Sequence, residues 1–295
     1  MMLDQQVLRT PALDHRQLDL DAAERVTYLL EQSFRYDYTG PVERMRHRLM
    51  VLPPKRHGSQ HLRAHRLDVE GADARRELRR DTRGNTTVRL RADRIERTVQ
   101  FRVGALLERV IGDGPPHLPA SALTDTRLLR ATRLTRPDDR VRALAQEASH
   151  TKSRPIELAA RICEIVHTSL EYEYGHTSVR TTAAEALAGG RGVCQDSAHI
   201  MLAVCHVLSV PARYVSGHLL GQGGTHAWVE VIVPNADHAV ALPFDPCNGA
   251  AGSARYVTVA TGRDYADVCP TSGSYIGQAR GHLTSKRRLA VLAAA

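Results

Sequence analysis

Residues 189–200 read GGRGVCQDSAHI: three glycines and an arginine, a cysteine, then the start of an apolar helical run. The thiolate is the nucleophilic form of cysteine, and a helix N-terminus favours it through free backbone N–H groups and the positive end of the helix dipole. The same N–H groups can hydrogen-bond the oxyanion formed when sulfur attacks a carbonyl. A helical register from Cys194 lines up Ala198, Met201, Leu202, Cys205 and Leu208 and stops before Pro211, which puts Cys194 in the first turn and Cys205 deep in the core. Gly189, Gly190 and Gly192 would let the backbone turn sharply and leave space for a substrate. A plainer account competes: glycines that only end one helix, and a cysteine packed as a small apolar residue. Asp196 is expected to serve the helix end and to pair with His199, three residues on.

Thiolate chemistry needs a base that titrates near neutrality, and histidine supplies one. Among fifteen histidines, His226 stands apart because it opens THAWVEVIVP, whose alternation places His226, Trp228 and Glu230 on one face of a strand. Trp228 is the only tryptophan in the chain. Asp245 closes a strand in FDPCN, where a carboxylate can accept the imidazole N–H, fix its tautomer and stabilise the imidazolium. Singly, His226 fits an ordinary strand end and Asp245 a turn beside proline. Together, in the order cysteine, histidine, aspartate at element ends, they fit a Cys-His-Asp triad. Candidates for contact with substrate are Trp228, Gly192 and Tyr174, the last in EYEYGHTSV with Tyr172 and His176.

Two segments of different grammar must position these groups. From Glu24 to about Val110 the chain alternates in short strands, with DTRGNTT reading as a hairpin turn, and an antiparallel sandwich is expected. IGDGPPHLPASA, 111–122, reads as a linker. Helical patterns follow in DDRVRALAQEAS, PIELAARICEIVHTSL and TTAAEALAGG, then strands in ARYVSGHLL, HAWVEVIVP and AVALPFDP. Helices and then strands around one core predict an α+β domain. The expected organisation is an N-terminal tail over 1–22, a β-rich domain over 23–112, a linker over 113–124 and a catalytic domain over 125–295.

The blocks GRGVCQDSAHIMLAVCHVLSVPARYVSGHL, THAWVEVIVP, FDPCN and GRDYADVCPTSG resemble the bacterial transglutaminase-like superfamily. FRYDY, PPKRHGSQ and DTRGN resemble the β-rich region that precedes that core in many bacterial members. The resemblance implies a papain-like transglutaminase core, its cysteine helix packed on an antiparallel sheet, behind a β-sandwich-like N-terminal domain. It implies Cys194 as nucleophile, His226 as base and acid, and Asp245 as orienter. Cys247 departs from the pattern, since many relatives carry threonine there.

The chemistry implied is acyl transfer on a peptide or carboxamide carbonyl through a thioester. Water as acceptor makes a cysteine protease or amidase, and an amine makes a transglutaminase or amide-forming acyltransferase. The reading leans to hydrolysis, with a peptide or protein substrate, glutamine-containing in one case. A non-catalytic peptide-binding module and a docking scaffold built on the sandwich are the rivals from other classes. No EF-hand, HExxH or CxxC spacing occurs, so no metal and no cofactor are expected. Five cysteines without a paired spacing fit a reducing compartment, and an N-terminus lacking an apolar run fits the cytoplasm. No run approaches the ~20 apolar residues that a membrane-spanning helix requires. The net charge of +8 comes from interleaved arginines with only 4% aromatics, so it reads as a solvated surface, with nucleic acid a minor hypothesis.

Overall fold

Alternation along Arg25–Tyr38 (β1) buries Val26, Tyr28, Leu30 and Phe34 on one side, as a strand with one face in a core requires. The computed structural model describes residues 3–4, 6–150 and 153–295. After β1 come Val42–Leu52 (β2), Arg56–His57 (β3), Gln60–Glu70 (β4), Arg75–Arg80 (β5), Thr86–Ile95 (β6) and Thr98–Val110 (β7). They lie in two antiparallel sheets that meet over a core including Phe34, Met45, Leu49, Leu90 and Phe101, a sandwich as expected. The turn between β5 and β6 is built from DTRGN: Asp81 Oδ1 accepts the backbone N–H groups of Arg83 and Asn85, both at 2.9 Å, and Gly84 takes φ 85°.

His117–Pro119 (β8) leads to the helices Thr126–Leu129 (α1), Asp139–Ser149 (α2) and Pro155–Ser169 (α3). Asp138 caps α2 by accepting from the Val141 N–H at 3.0 Å, and Pro155 opens α3 where a missing N–H costs nothing. Glu171–Tyr172 (β9), Ala183–Gly189 (α4), Arg191–Gly192 (β10) and Cys194–Val207 (α5) follow. The chain then runs through Ala212–Leu219 (β11), His226–Asn235 (β12), His238–Asp245 (β13), Ala250–Ala251 (β14), Tyr256–Gly262 (β15), Tyr265–Val268 (α6), Thr271–Ile276 (β16) and Gly281–Ala294 (β17). The main sheet has the order β14–β13–β12–β11–β15. Helix α5 packs on it amid α2, α3 and α4, and every residue from Gln195 to Cys205 is buried, so the helix is a central rod rather than a surface helix with one apolar stripe. This is the α+β, papain-like arrangement expected. No helix among the described residues is long and apolar enough to cross a membrane.

Strand pairing crosses two of the expected boundaries. The linker 113–124 is no free connection, because β8 pairs with β13 and Ala120–Thr124 forms a 3-10 helix. The segment expected over 125–295 contributes its last strands to the other unit, because β16 pairs with β2 and β17 pairs along the whole of β1, so the C-terminus completes both sheets of the sandwich. Long-range pairing of this kind leaves no local trace, since register is set by the partner strand. Of the tail 1–22, residues 1, 2 and 5 lie outside the described residues, while Leu3 is buried against Leu29 and Ala64.

The two units are joined at β15, the last strand of the main sheet. An edge strand carries unpaired N–H and C=O groups. Gln60 of β4 donates its amide to Thr258 O and accepts from Thr258 N, both at 2.8 Å. Asn85 makes the same pair of bonds to Thr261, again at 2.8 Å. Two buried amides of the sandwich thus stand in for a neighbouring strand. Gln60→Ala strands two buried backbone groups, and with ~1–3 kcal/mol for each unsatisfied group the expected loss of unfolding free energy is about 2–6 kcal/mol. Urea titration of the variant checks this, and a loss under about 0.5 kcal/mol contradicts it.

Candidate active site

Helix α4 ends where Gly190 adopts the left-handed conformation, φ 66°, with its N–H on Ala186 O at 3.0 Å. A β-carbon on Gly192 would sit 2.8 Å from Asp196 Oδ2, so only glycine fits there. These two glycines turn the chain into α5, and Cys194 is its first residue, partly exposed. Asp196 reaches back to cap the helix: Oδ2 accepts from Val193 N at 2.9 Å and from Thr177 Oγ1 at 2.6 Å. Burial raises its carboxyl above the ordinary value. The expected pair with His199 is not formed. His199 Nε2 instead accepts from Tyr265 N at 3.2 Å, and burial pushes that imidazole down to about 4.

His226 opens β12 with only 3% of its surface exposed. Its Nε2 is 2.6 Å from Asp245 Oδ2, and the ring also interacts with the Cys194 thiol. Burial alone would lower the imidazole pKa. The hydrogen bonds to Asp245 and Cys194, with their charges, outweigh burial and raise it to about 9. Asp245, the last residue of β13, is saturated with donors. Oδ1 accepts from Cys247 N at 3.0 Å and Asn248 N at 3.2 Å, while Oδ2 also accepts from Asn248 Nδ2 at 2.7 Å and Tyr256 OH at 2.8 Å. Against burial, the His226 bond and charge and then the Asn248 and Tyr256 bonds hold its carboxyl below the ordinary value. The three expected residues therefore come together, His226 and Asp245 by a hydrogen bond and Cys194 beside the ring.

The expected substrate contacts divide. Trp228, 1% exposed, packs between His226 and Tyr256 with ring centroids at 6.2 and 5.3 Å, so it backs the imidazole and does not face the open cleft. Gly217 allows this approach, since a β-carbon there would lie 2.5 Å from the indole. Glu230, on the same strand, turns to the sandwich and binds His57 Nε2 at 2.6 Å and Arg213 Nε at 2.7 Å. Gly192 pairs with Tyr172 through the parallel β9–β10 bridge, which sets Tyr172 beside the thiol. Its phenol is pushed up first by burial and then by Cys194 and Cys247. Tyr174 is 89% exposed on the rim and Tyr172 64%. Cys247 shares the site, its thiol raised to about 12 by burial and then by the charges of Cys194 and Asp245. Asn248 and Tyr256 are the residues that sequence reasoning missed. Asn248 carries a signal, an amide three residues beyond Asp245 in FDPCN, whereas Tyr256 carries none. Among the described residues, no group of three or more His, Cys, Asp or Glu is placed to hold a metal ion.

Comparisons with known proteins agree with this fold. The sequence model of the transglutaminase-like superfamily matches residues 142–243, and that of the bacterial transglutaminase-like N-terminal region matches 28–108. An uncharacterised protein of Mycobacterium tuberculosis is 30% identical over 251 residues, 75% of this chain and 79% of that protein. One from Mycobacterium leprae is 33% identical over 163 residues, 51% and 56% of the two chains. Among solved structures, a proposed cysteine protease from Cytophaga hutchinsonii has the same fold, with TM-score 0.72, 23% identity and 91% of each chain covered.

The raised pKa of His226 has a defined consequence. A group whose folded pKa lies above its unfolded value stabilises the fold fully below the unfolded pKa, about 6.5, and loses that contribution as pH rises through the folded one, here about 9. Imidazole NMR titration is expected to show His226 changing charge near pH 9, and that midpoint moving down in Asp245→Asn. A midpoint near 6.5 in the wild-type protein contradicts the imidazolium form.

Proposed function

The chain belongs to the transglutaminase-like superfamily, and from that premise we propose that it is a thiol enzyme that cleaves peptide or carboxamide bonds through Cys194, His226 and Asp245. The observation that carries this reading is the position of His226, 2.6 Å from Asp245 Oδ2 and close enough to the Cys194 thiol to interact with it. The sulfur attacks the substrate carbonyl carbon while the imidazolium holds the thiol proton. Collapse of the tetrahedral adduct breaks the C–N bond, His226 gives its proton to the departing amine or ammonia, and a thioester remains. Water then adds to the thioester with His226 taking its proton, and the acid and free thiol are released. The backbone N–H of Cys194, first in α5 and without an intrahelical acceptor, is placed to hydrogen-bond the oxyanion. Asp245 remains ionised and fixes the ring.

Water is favoured over an amine as acceptor because the rim is open, with Tyr172 and Tyr174 exposed beside a partly exposed thiol. Amine transfer requires exclusion of water from the thioester. The substrate in this reading is a peptide or protein, with glutamine carboxamide as one acyl donor. The five free cysteines fit a reducing compartment, and the cytoplasm is the setting proposed.

Iodoacetamide at neutral pH is expected to label Cys194 ahead of the other four cysteines, and His226→Ala to slow that labelling by about tenfold or more. Labelling no faster than at Cys247 or Cys269 would mean a binding module. Ammonia release from a glutamine peptide, followed with and without a primary amine, separates the acceptors. A dominant amine adduct would replace hydrolysis with transglutamination.

A further inference from the structure

The outer face of the second sandwich sheet, β16–β2–β6–β5, is built from arginines placed directly opposite one another. Arg46 faces Arg91 across β2–β6, and Arg91 faces Arg75 across β6–β5. In the next row Arg48 faces Arg89, which faces Glu77. Side chains so paired stand ~4.5–5.5 Å apart at their β-carbons, and like charges in that position are destabilising. Glu77 is the one acid in these rows, and it pairs with Arg79. Arg48 donates to Ser272 Oγ at 3.3 Å. Among the described residues, Arg46, Arg75, Arg89 and Arg91 are exposed and have no carboxylate within ion-pair distance. The sheet thus holds a row of three like charges that its own acids do not neutralise.

Strand β5, RRELRR, is the edge of this sheet and is exposed at all six positions. Its four arginines against one glutamate repel a second copy of the same edge, so self-pairing is disfavoured. An extended acidic segment has the opposite property, because it can add to the free backbone edge while its carboxylates accept the guanidinium forks. The face carries no aromatic side chain among the rows named, so it lacks the stacking platform that single-stranded nucleic acid uses.

We infer that this face, centred on Arg46, Arg89, Arg91 and the edge strand β5, is a docking surface for an extended acidic segment of a partner polypeptide. The surface is separate from the thiol site and does not depend on the reaction proposed for it.

The test is fluorescence anisotropy of a labelled all-glutamate peptide about six residues long, the length of β5, at near-physiological salt. An all-lysine peptide and a short duplex DNA are the comparison probes. The wild-type chain is expected to bind the glutamate peptide, and Arg46→Glu with Arg91→Glu to weaken it by about tenfold or more. The charge-matched pair Arg140→Glu and Arg142→Glu, on α2, is expected to leave binding unchanged. The single variant Arg91→Glu should also weaken binding yet melt higher than wild type, since its carboxylate would face both Arg46 and Arg75 and relieve like-charge repulsion across β2–β6 and β6–β5; that rise separates loss of binding from loss of folding. Equal weakening by both pairs, no binding of the glutamate peptide, or tighter binding of the duplex through the same arginines would each overturn the inference.

Discussion

The structure depends on how a single buried carboxylate is satisfied. Asp245 is enclosed, and an ionised carboxylate out of water is costly unless donors replace its hydration. Five donors do so: two backbone N–H groups of the turn that follows, the Asn248 amide, the Tyr256 hydroxyl and the His226 ring. The first three are local, because the chain reverses immediately after β13. The other two come from β12 and β15, on either side of β11. Ionised Asp245 therefore holds two strands in register around itself, and the imidazole is charged because the carboxylate is.

Tyr256 connects that carboxylate to the sandwich. Arg109 of β7 donates to Tyr256 O at 2.5 Å and to Ser59 Oγ at 3.0 Å. Tyr28 of β1 donates to Ala254 O at 2.5 Å, and Asp21 accepts from Ala254 N at 2.7 Å. Farther along, Glu230 is bound by His57 of the sandwich and by Arg213. Burial opposes its ionisation, and the charges and bonds of His57 and Arg213 hold it down at about 2. Breaking a buried pair of this kind leaves an uncompensated charge, so these contacts fix the relative placement of the two units even where their net contribution to stability is small. The N-terminal half sets the strand whose tyrosine holds Asp245.

What the sequence disclosed follows from the range over which each feature is determined. The thiol at a helix start, the histidine opening a strand and the aspartate closing one are each marked by neighbours in the chain: the glycines at 190 and 192, the alternation of 226–233 and the proline at 246. The DTRGN turn is equally local. The clamp on β15 is not, since Gln60 and Asn85 are ordinary polar residues until Thr258 and Thr261 are brought against them. The last two strands escape notice for the same reason. β17 is polar over its first half and would suit a surface loop, and only β1 makes it a strand. Trp228 shows a subtler failure. Alternation places it on the same face as His226, but the cross-strand glycine that lets it sink behind the ring cannot be read from spacing.

Selection among the thiols completes the argument. Cys163 and Cys205 lie in the packed interior of α3 and α5, and burial pushes both to about 12, where the thiolate is scarce at neutral pH. Cys247 reaches the same value although it borders the site, because burial and then the charges of Cys194 and Asp245 push it up. Cys269 is turned toward Tyr265 OH and Thr271 O. Only Cys194 combines a helix N-terminus, access to solvent and a hydrogen bond to a charged imidazole. A helix interior would bury the sulfur, and a strand end would withhold the free N–H group. The first residue of α5 therefore sets a thiol beside the His226 ring and at a free helix N-terminus, the arrangement on which the proposed reaction rests.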